Sequence, residues 1–411
     1  MTDFYDELET RDPELRERAL LAALPAQVAH ARERCPAYAE LLREVDPAAV
    51  TSREVLAALP LTRKSALLEA QRAQPPFGGF VATPMAGLAR VFASPGPIYE
   101  PEGRGPDPWR LARALHAAGV RRGDLVHNSF SYHMTPAGSM LESAAHALGC
   151  AVFPAGVGQT EQQVEAIAHL RPRAYTGTPS FLAILLDKAS ELGRDVSSLA
   201  CGLVSGEAFP PSLRERVAAR GVDAVQCYAT ADLGLVAYET AAREGLVLDE
   251  GVLLEIVRPG TGDPVPPGEV GEVVVTTLAS DYPLIRFATG DLSAVMAGSS
   301  PCGRTNVRIR GWMGRADQTT KVRGLFVHPS QVAEVVRRHP EIARARLVVA
   351  SADDQDVATL RCETADGRPE LLARVAESVR DLCKVRAEVE AVAPGVLPND
   401  GKVIEDARRY D

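Results

Sequence analysis

From about residue 90 the apolar positions fall into a repeating alternation. A stretch with helical spacing of apolar residues ends at a glycine or polar turn, and four to six mostly apolar residues follow. The helix from Pro108 to Ala118 precedes the strand Leu125–Asn128. Ser139 to Leu148 precedes Ala151–Pro154, and Glu161 to His169 precedes Ala174–Gly177. Pro179 to Ser190 precedes Cys201–Gly206, and Pro211 to Arg220 precedes Ala224–Tyr228. Helix and strand alternating at this spacing predict an α/β fold with a mostly parallel sheet covered on both faces.

The pattern differs on either side of this region. The first seventy residues predict helices. Asp12 caps the first, Pro13 opens it, and the Ala/Leu/Arg/Glu-rich run continues to Ala31. Cys35-Pro36-Ala37-Tyr38 breaks that helix before a second, short one, and Leu59–Lys64 turns into another. Residues 246–297 change style. Leu253–Val257, Gly271–Thr276 and Pro283–Phe287 predict strands separated by Pro/Gly turns, an antiparallel or barrel-like subdomain. Beyond residue 317, strands at Ala343–Ala350, Val357–Glu363 and Ala387–Ala391 with a helix at Leu371–Cys383 predict a small α+β lid. Two domains are expected. The first covers residues 1–316, with a helical region over 1–85 and a β-rich subdomain over 246–316, and the second covers 317–411, whose mobility is implied by the family resemblance described below.

Composition narrows the class. Of 411 residues, 46% are hydrophobic and 24% charged, an ordinary balance for a globular enzyme. No apolar run approaches the roughly 20 residues of a membrane span. The acidic start, Met1-Thr2-Asp3-Phe4-Tyr5-Asp6-Glu7, is unlike a secretory signal. A net charge of −9 without a basic cluster argues against nucleic acid or an anionic membrane as partner. Seven scattered cysteines with no Cys-x-x-Cys point to a reducing cytoplasm and no disulfide framework.

P-loop, dinucleotide-fold, nucleophile-elbow and zincin signatures are missing. Three polar turns carry candidate chemistry instead. In Tyr228-Ala229-Thr230-Ala231-Asp232, Tyr228 can stack on a purine, Thr230 can donate to phosphate and Asp232 can hold Mg²⁺. The turn follows a strand, and strand C-termini of open α/β sheets are where ligands bind. Thr289-Gly290-Asp291, after a strand containing Arg286, offers a carboxylate for two ribose hydroxyls. Near the end of the sequence, Pro398-Asn399-Asp400-Gly401 presents Lys402. Read singly, each is also an ordinary turn.

Together and in order, these motifs resemble the phenylacetate–CoA ligase family of adenylate-forming enzymes. The resemblance is carried by Thr176-Gly177-Thr178-Pro179-Ser180, Ser205-Gly206-Glu207, the Tyr228 to Asp232 turn, Tyr282–Phe287 and Thr289-Gly290-Asp291. It continues through Cys302-Gly303-Arg304, Gly314-Arg315-Ala316-Asp317, Val322–Gln331 and Lys402, covering about residues 85–411. It implies a large N-terminal and a small rotating C-terminal domain. It also implies an acyl-adenylate made from a carboxylic acid and ATP, with transfer of the acyl group to CoA. The acid expected is aryl or arylacetic, the cofactors are ATP/AMP, Mg²⁺ and CoA, and a homodimer suits the family. Carried over by position, Ser205, Gly206 and Glu207 join the nucleotide site. Tyr228 stacks on adenine, Thr230 touches the α-phosphate and Asp232 holds Mg²⁺. Asp291 holds the ribose with Arg304 or Arg315, and Asp317 is the hinge. Lys402 bridges carboxylate and α-phosphate, neutralising charge at pentavalent phosphorus. Ser131–Pro136 corresponds to the acyl-pocket loop, with Tyr132 and His133 facing substrate.

Two departures stand out. Where the family carries a Ser/Thr/Gly-rich phosphate loop with Lys, this chain has Arg90-Val91-Phe92-Ala93-Ser94-Pro95-Gly96-Pro97-Ile98-Tyr99-Glu100-Pro101-Glu102-Gly103. Pro95 and Pro97 remove backbone donors, and Glu100 and Glu102 would repel a triphosphate. Some relatives also bind zinc near the Cys302 position. Here Thr240 and Leu246 offer Cys302 no partners, so no zinc site is expected. The altered loop leaves two other readings open: an acyl or aryl transferase using a preformed adenylate or thioester, and a non-catalytic nucleotide-binding homologue.

Overall fold

The computed structural model describes residues 4–94, 98–316, 318, 320–322, 325–352 and 355–407. The chain divides into two compact units. One comprises Met1–Leu254, Val275–Phe287 and Met296–Trp312; the other comprises Glu255–Val274, Ala288–Val295 and Met313–Asp411.

The first unit opens with α1 (Pro13–Arg34), α2 (Pro36–Leu41) and α3 (Arg53–Ala57). The Asp12 carboxylate accepts from the Glu14 and Leu15 amides at 2.9 and 3.0 Å, which satisfies free donors at the start of α1. After β1 (Thr62–Arg63) comes α4 (Lys64–Ala73), then an antiparallel hairpin of β2 (Arg90–Ser94) and β3 (Ile98–Glu102). The next helix, α5, runs Ala112–Ala117 rather than from Pro108. Arg110 adopts a left-handed φ of 62°, and Asp107 accepts from the Leu111 and Ala112 amides, so the helix begins there.

The expected alternation follows: β4 (Leu125–Asn128), α6 (Ala137–Ala147), β5 (Ala151–Pro154), α7 (Thr160–Leu170), β6 (Ala174–Gly177), α8 (Pro179–Glu191), β7 (Cys201–Val204), α9 (Pro211–Ala218) and β8 (Asp223–Thr230). Strands β5, β4, β6, β7 and β8 pair in parallel in that order. Strands β9 (Gly234–Tyr238) and β10 (Leu246–Leu248) continue the sheet antiparallel. Period-two alternation sends neighbouring strand residues to opposite faces. Ala174, Leu203 and Val225 join Leu115 and Leu141 of α5 and α6 on one face. Tyr175, Val204 and Ala224 join Ile167 and Leu186 of α7 and α8 on the other. The sheet is therefore buried on both sides.

The β-rich region forms β11 (Val252–Val257), β12 (Gly271–Thr277) and β13 (Phe287–Ser293). With β1 they make an open four-stranded sheet of order β1-β13-β12-β11. Two strand pieces, β14 (Val295–Met296) and β15 (Arg308–Ile309), complete the nine-stranded sheet, in which β15 pairs with β10. The strand expected at Pro283–Phe287 starts four residues later. Arg286 sits at φ 43° with its guanidinium 2.5 Å from the Leu59 carbonyl, so extended backbone begins only at Phe287. Thr289-Gly290-Asp291 thus lies inside a strand, not after one.

The second unit contains β16 (Thr320–Val322), β17 (Leu325–Val327) and α10 (Pro329–Arg338), the last unforeseen in the sequence. After these come β18 (Arg344–Ala352), β19 (Gln355–Glu363), α11 (Pro369–Cys383), β20 (Glu388–Val392) and β21 (Ile404–Asp406). The sheet order is β20-β19-β18-β21. Val332 and Val335 of α10 and Leu371, Val375 and Val379 of α11 pack with Leu347, Val349 and Leu360 into one core. No described helix is long and apolar enough to cross a membrane.

Candidate functional site

In the first unit the C-terminal ends of the parallel strands surround a cavity of about 590 Å³. Its walls carry Phe130, Met140, Leu141, Phe181, Ile184 and Cys227, and its polar atoms come from hydroxyls such as Ser129, Ser131, Thr135 and Ser180. Ser205, Gly206, Thr230 and Ala231 line it too, so two of the sequence-derived motifs meet here. Among the described residues, no Asp, Glu, Lys, Arg or His is on the wall. Such a space favours the apolar portion of a ligand and offers hydroxyl hydrogen bonds at its rim.

Local bonding explains how the motif residues are held. Ser205 Oγ donates to the Cys227 carbonyl at 2.9 Å, tying the end of β7 to β8. Gly206 has φ 86°, a conformation that side chains rarely adopt. Glu207 accepts from the Ser180 amide at 2.7 Å, at the start of α8. Strand β8 is bulged between Tyr228 and Ala229, which shifts its register against β9 within the motif, and Ala229 and Thr230 then pair with Leu235 and Gly234. Thr230 Oγ1 accepts from the Leu233 amide at 3.1 Å.

Tyr132 and His133, the expected pocket residues, are not among the lining residues. The Tyr132 hydroxyl accepts from Asn128 Nδ2 at 2.8 Å, and His133 is exposed, its amide donating to Ser131 Oγ. Phe130, Ser131, Thr135 and Pro136 of the same loop line the cavity instead.

Asp232 is buried, with Lys64 Nζ 2.5 Å from Oδ2. Glu100 of the β2–β3 hairpin lies against it, fully buried, with Ser94 Oγ donating to Oε1 at 2.9 Å. Burial first, then the adjacent Asp232 charge, push the Glu100 carboxyl well above its ordinary range. Glu102 is buried beside Arg90 and Ser139; burial raises it despite Arg90. Gln71 of α4 clamps the hairpin, its Nε2 donating to the Tyr99 carbonyl at 2.9 Å and its Oε1 accepting from the Tyr99 amide at 2.8 Å. Pro95 and Pro97 of the altered loop lie outside the described residues. An Mg²⁺ shell of about six oxygens does not fit beside an ammonium at this distance. Among the described residues, no group of three or more His, Cys, Asp or Glu could hold a metal ion.

Arg304 is occupied elsewhere in the first unit. It pairs with Glu9 at 3.0 Å, and both side chains of that pair are almost wholly buried. Its guanidinium also lies 5.3 Å from the Phe4 ring centroid. Cys302 lies beside Ser300, Thr240 and Arg304. Burial opposes its ionisation, but hydrogen bonds from those groups hold the thiol below its ordinary value.

In the second unit, Arg315 Nη1 lies 2.8 Å from Asp291 Oδ1, and the two residues form a β-bridge. Gly290 allows this: a Cβ there would lie 2.7 Å from Arg315 Nη2, and φ is 76°. A cavity of about 330 Å³ is lined by Arg315, Gln318, Asp400 and Lys402, so two widely separated motifs share one wall. The Lys402 turn is heavily braced. Gln318 Nε2 donates to the Gly401 carbonyl at 2.9 Å, while its Oε1 accepts from the Val403 and Ile404 amides. Asn399 Oδ1 accepts from the Val270 amide at 2.9 Å, and Arg346 Nε donates to the Lys402 carbonyl at 3.1 Å. The Lys402 side chain is exposed. The expected hinge, Asp317, lies outside the described residues.

Residues 129–279 match the family model described as AMP-binding enzyme. The phenylacetate–coenzyme A ligase of Thermus thermophilus is 33% identical, covering 96% of this chain and 96% of its own. The Escherichia coli enzyme of the same name is 29% identical over 97% and 95%. A solved open conformation of 2-hydroxyisobutyryl-CoA ligase, in complex with 2-HIB-AMP and CoA, superposes with a TM-score of 0.74 at 27% identity, covering 97% of this chain and 92% of that one. Whole-length similarity and the order of the motifs lead to one assignment: the chain belongs to the phenylacetate–coenzyme A ligase family, acid–thiol ligases that act through an acyl-adenylate.

Proposed function

We propose that the acid is an aryl or arylacetic acid, activated with ATP supplied as its Mg²⁺ complex and transferred to CoA. The observation that carries this is the 590 Å³ cavity, whose described wall lacks any charged side chain. A second carboxylate or an ammonium on the substrate would lose hydration there without a partner. A flat ring fits among Phe130, Met140, Leu141 and Phe181. The names of the relatives support the same class.

Within this reading Tyr228 stacks on adenine, and Thr230 with Ser205, Gly206 and Glu207 serves the nucleotide. Asp291 takes the ribose hydroxyls with Arg315 beside it, since Arg304 is committed to Glu9. Lys402 neutralises the charge that builds at the α-phosphate as the carboxylate attacks. Residues 317–411 keep the role of a moving domain with Asp317 as its hinge. A cytoplasmic homodimer accords with the family.

ATP–pyrophosphate exchange tests the reading across a panel of aromatic and short aliphatic acids. Exchange with an aromatic acid, lost at least ~100-fold in Lys402→Ala, is expected. The variant should still transfer the acyl group from a supplied adenylate to CoA. Equal loss in both half-reactions would refute the role of Lys402.

One observation favours a second reading, a transferase that takes a preformed adenylate. The hairpin that replaces the phosphate loop brings Glu100 against Asp232, a poor cradle for β- and γ-phosphates. Exchange with no acid, alongside CoA-dependent turnover of a supplied acyl-adenylate, would select it.

A further inference from the structure

Lys64 has no role in adenylate chemistry as assigned so far, yet it makes one of the most buried contacts beside the Thr230–Asp232 turn. It is the first residue of α4, and its Nζ lies 2.5 Å from Asp232 Oδ2. The Asp232 side chain is 0% exposed and that of Lys64 28%, so the ammonium closes the carboxylate from solvent. Glu100, itself 0% exposed, lies against the same carboxylate. Glu100 and Asp232 are carboxyls in contact, and the buried Tyr282 hydroxyl lies beside them.

We propose that Lys64 is the resident cation of Asp232, and that this carboxylate takes no divalent metal during the reaction. A metal ion would have to displace the ammonium from the buried Asp232 carboxylate, and the part-buried Lys64 would lose its counter-ion. Lys64 thus acts as a positioning residue. It fixes the turn that bears Thr230 and Asp232 to α4, the helix whose Gln71 also holds the β2–β3 hairpin. The proposal stands on this ion pair and is independent of which acid is activated.

The test is Mn²⁺ titration of the full chain, read by electron paramagnetic resonance, without nucleotide and with a non-hydrolysable ATP analogue. Asp232→Asn is expected to leave Mn²⁺ occupancy unchanged in both series. A tenfold or larger loss of Mn²⁺ affinity in Asp232→Asn, in either series, would overturn the proposal. If the analogue fails to bind, the ATP reading fails, and the nucleotide-free series still decides the metal question. In turnover, Lys64→Met should lower kcat at least tenfold, and Lys64→Arg should restore most of it at unchanged KM. A Lys64→Met enzyme as active as the wild type would also overturn it. Should Lys64→Met not fold, the Mn²⁺ comparison needs only the wild type and the near-isosteric Asp232→Asn.

Discussion

Arg346 donates from Nε to the Lys402 carbonyl at 3.1 Å, and the same guanidinium reaches Asp400, Glu405 and the Pro398 carbonyl. It is 3% exposed. One buried cation therefore braces the whole turn that presents Lys402. Arg346→Ala should destabilise the protein by about 3 kcal/mol, because two acidic side chains and two carbonyls lose a charged donor. It should also lower the rate of adenylate formation more than the rate of acyl transfer. Thermal melts together with the two half-reaction rates check this, and equal slowing of both steps would contradict it.

Gly290 provides the second prediction. Gly290→Ala combines a positive φ with a Cβ 2.7 Å from Arg315 Nη2. The strain is about 1–3 kcal/mol, and the Arg315 guanidinium beside Asp291 must shift. AMP affinity measured by calorimetry should fall about tenfold or more. Unchanged affinity would detach this pair from nucleotide binding.

The cavity wall can be resized. Met140 is 4% exposed and lines the space. Met140→Ala should shift the ratio of kcat/KM toward larger ring-substituted acids by about 10- to 200-fold, the range that missing methylenes command. An unchanged ratio would place the acyl group elsewhere.

Glu102 carries a pH dependence. Its folded value lies above the ordinary 4.5. Well below 4.5 the carboxyl is neutral in folded and unfolded chains alike, and it contributes no slope. As pH rises past that point the unfolded chain releases its proton first, so stability falls until the folded group ionises too. The melting temperature of Glu102→Gln relative to wild type should therefore climb as pH rises from about 4 through the weakly acid range, then level off. A gap that narrows over that range would reverse the sign of the shift.

The doubly covered sheet was legible because β4 to β8 are short, largely apolar segments between turns, and α6, α7 and α8 carry buried apolar residues at helical spacing. The places where sequence reading slipped share a cause. Arg110 and Arg286 take left-handed φ values that only tertiary contacts such as Arg286 to Leu59 hold in place. They moved the start of α5 and β13. The motif residues were readable by type and order, since Thr230, Ser205 and Gly206 do meet on one wall. Lys64 was not, because its tie to Asp232 spans 168 positions and no local pattern announces it. The same holds for Arg304, whose partner Glu9 comes from the N-terminal segment.

Gln71 has a consequence for solubility. A two-stranded hairpin is marginal by itself and exposes an open backbone edge. By donating to one atom and accepting from another of the same residue, Tyr99, the Gln71 amide imitates the pairing of a neighbouring strand. A single side chain thus serves as a one-residue surrogate strand. It hides some of an edge that would otherwise recruit another chain, and it pins the hairpin to α4 in one register. Exchanging it for leucine would keep the bulk and remove the disguise, turning a local change of hydrogen bonding into a tendency to self-associate.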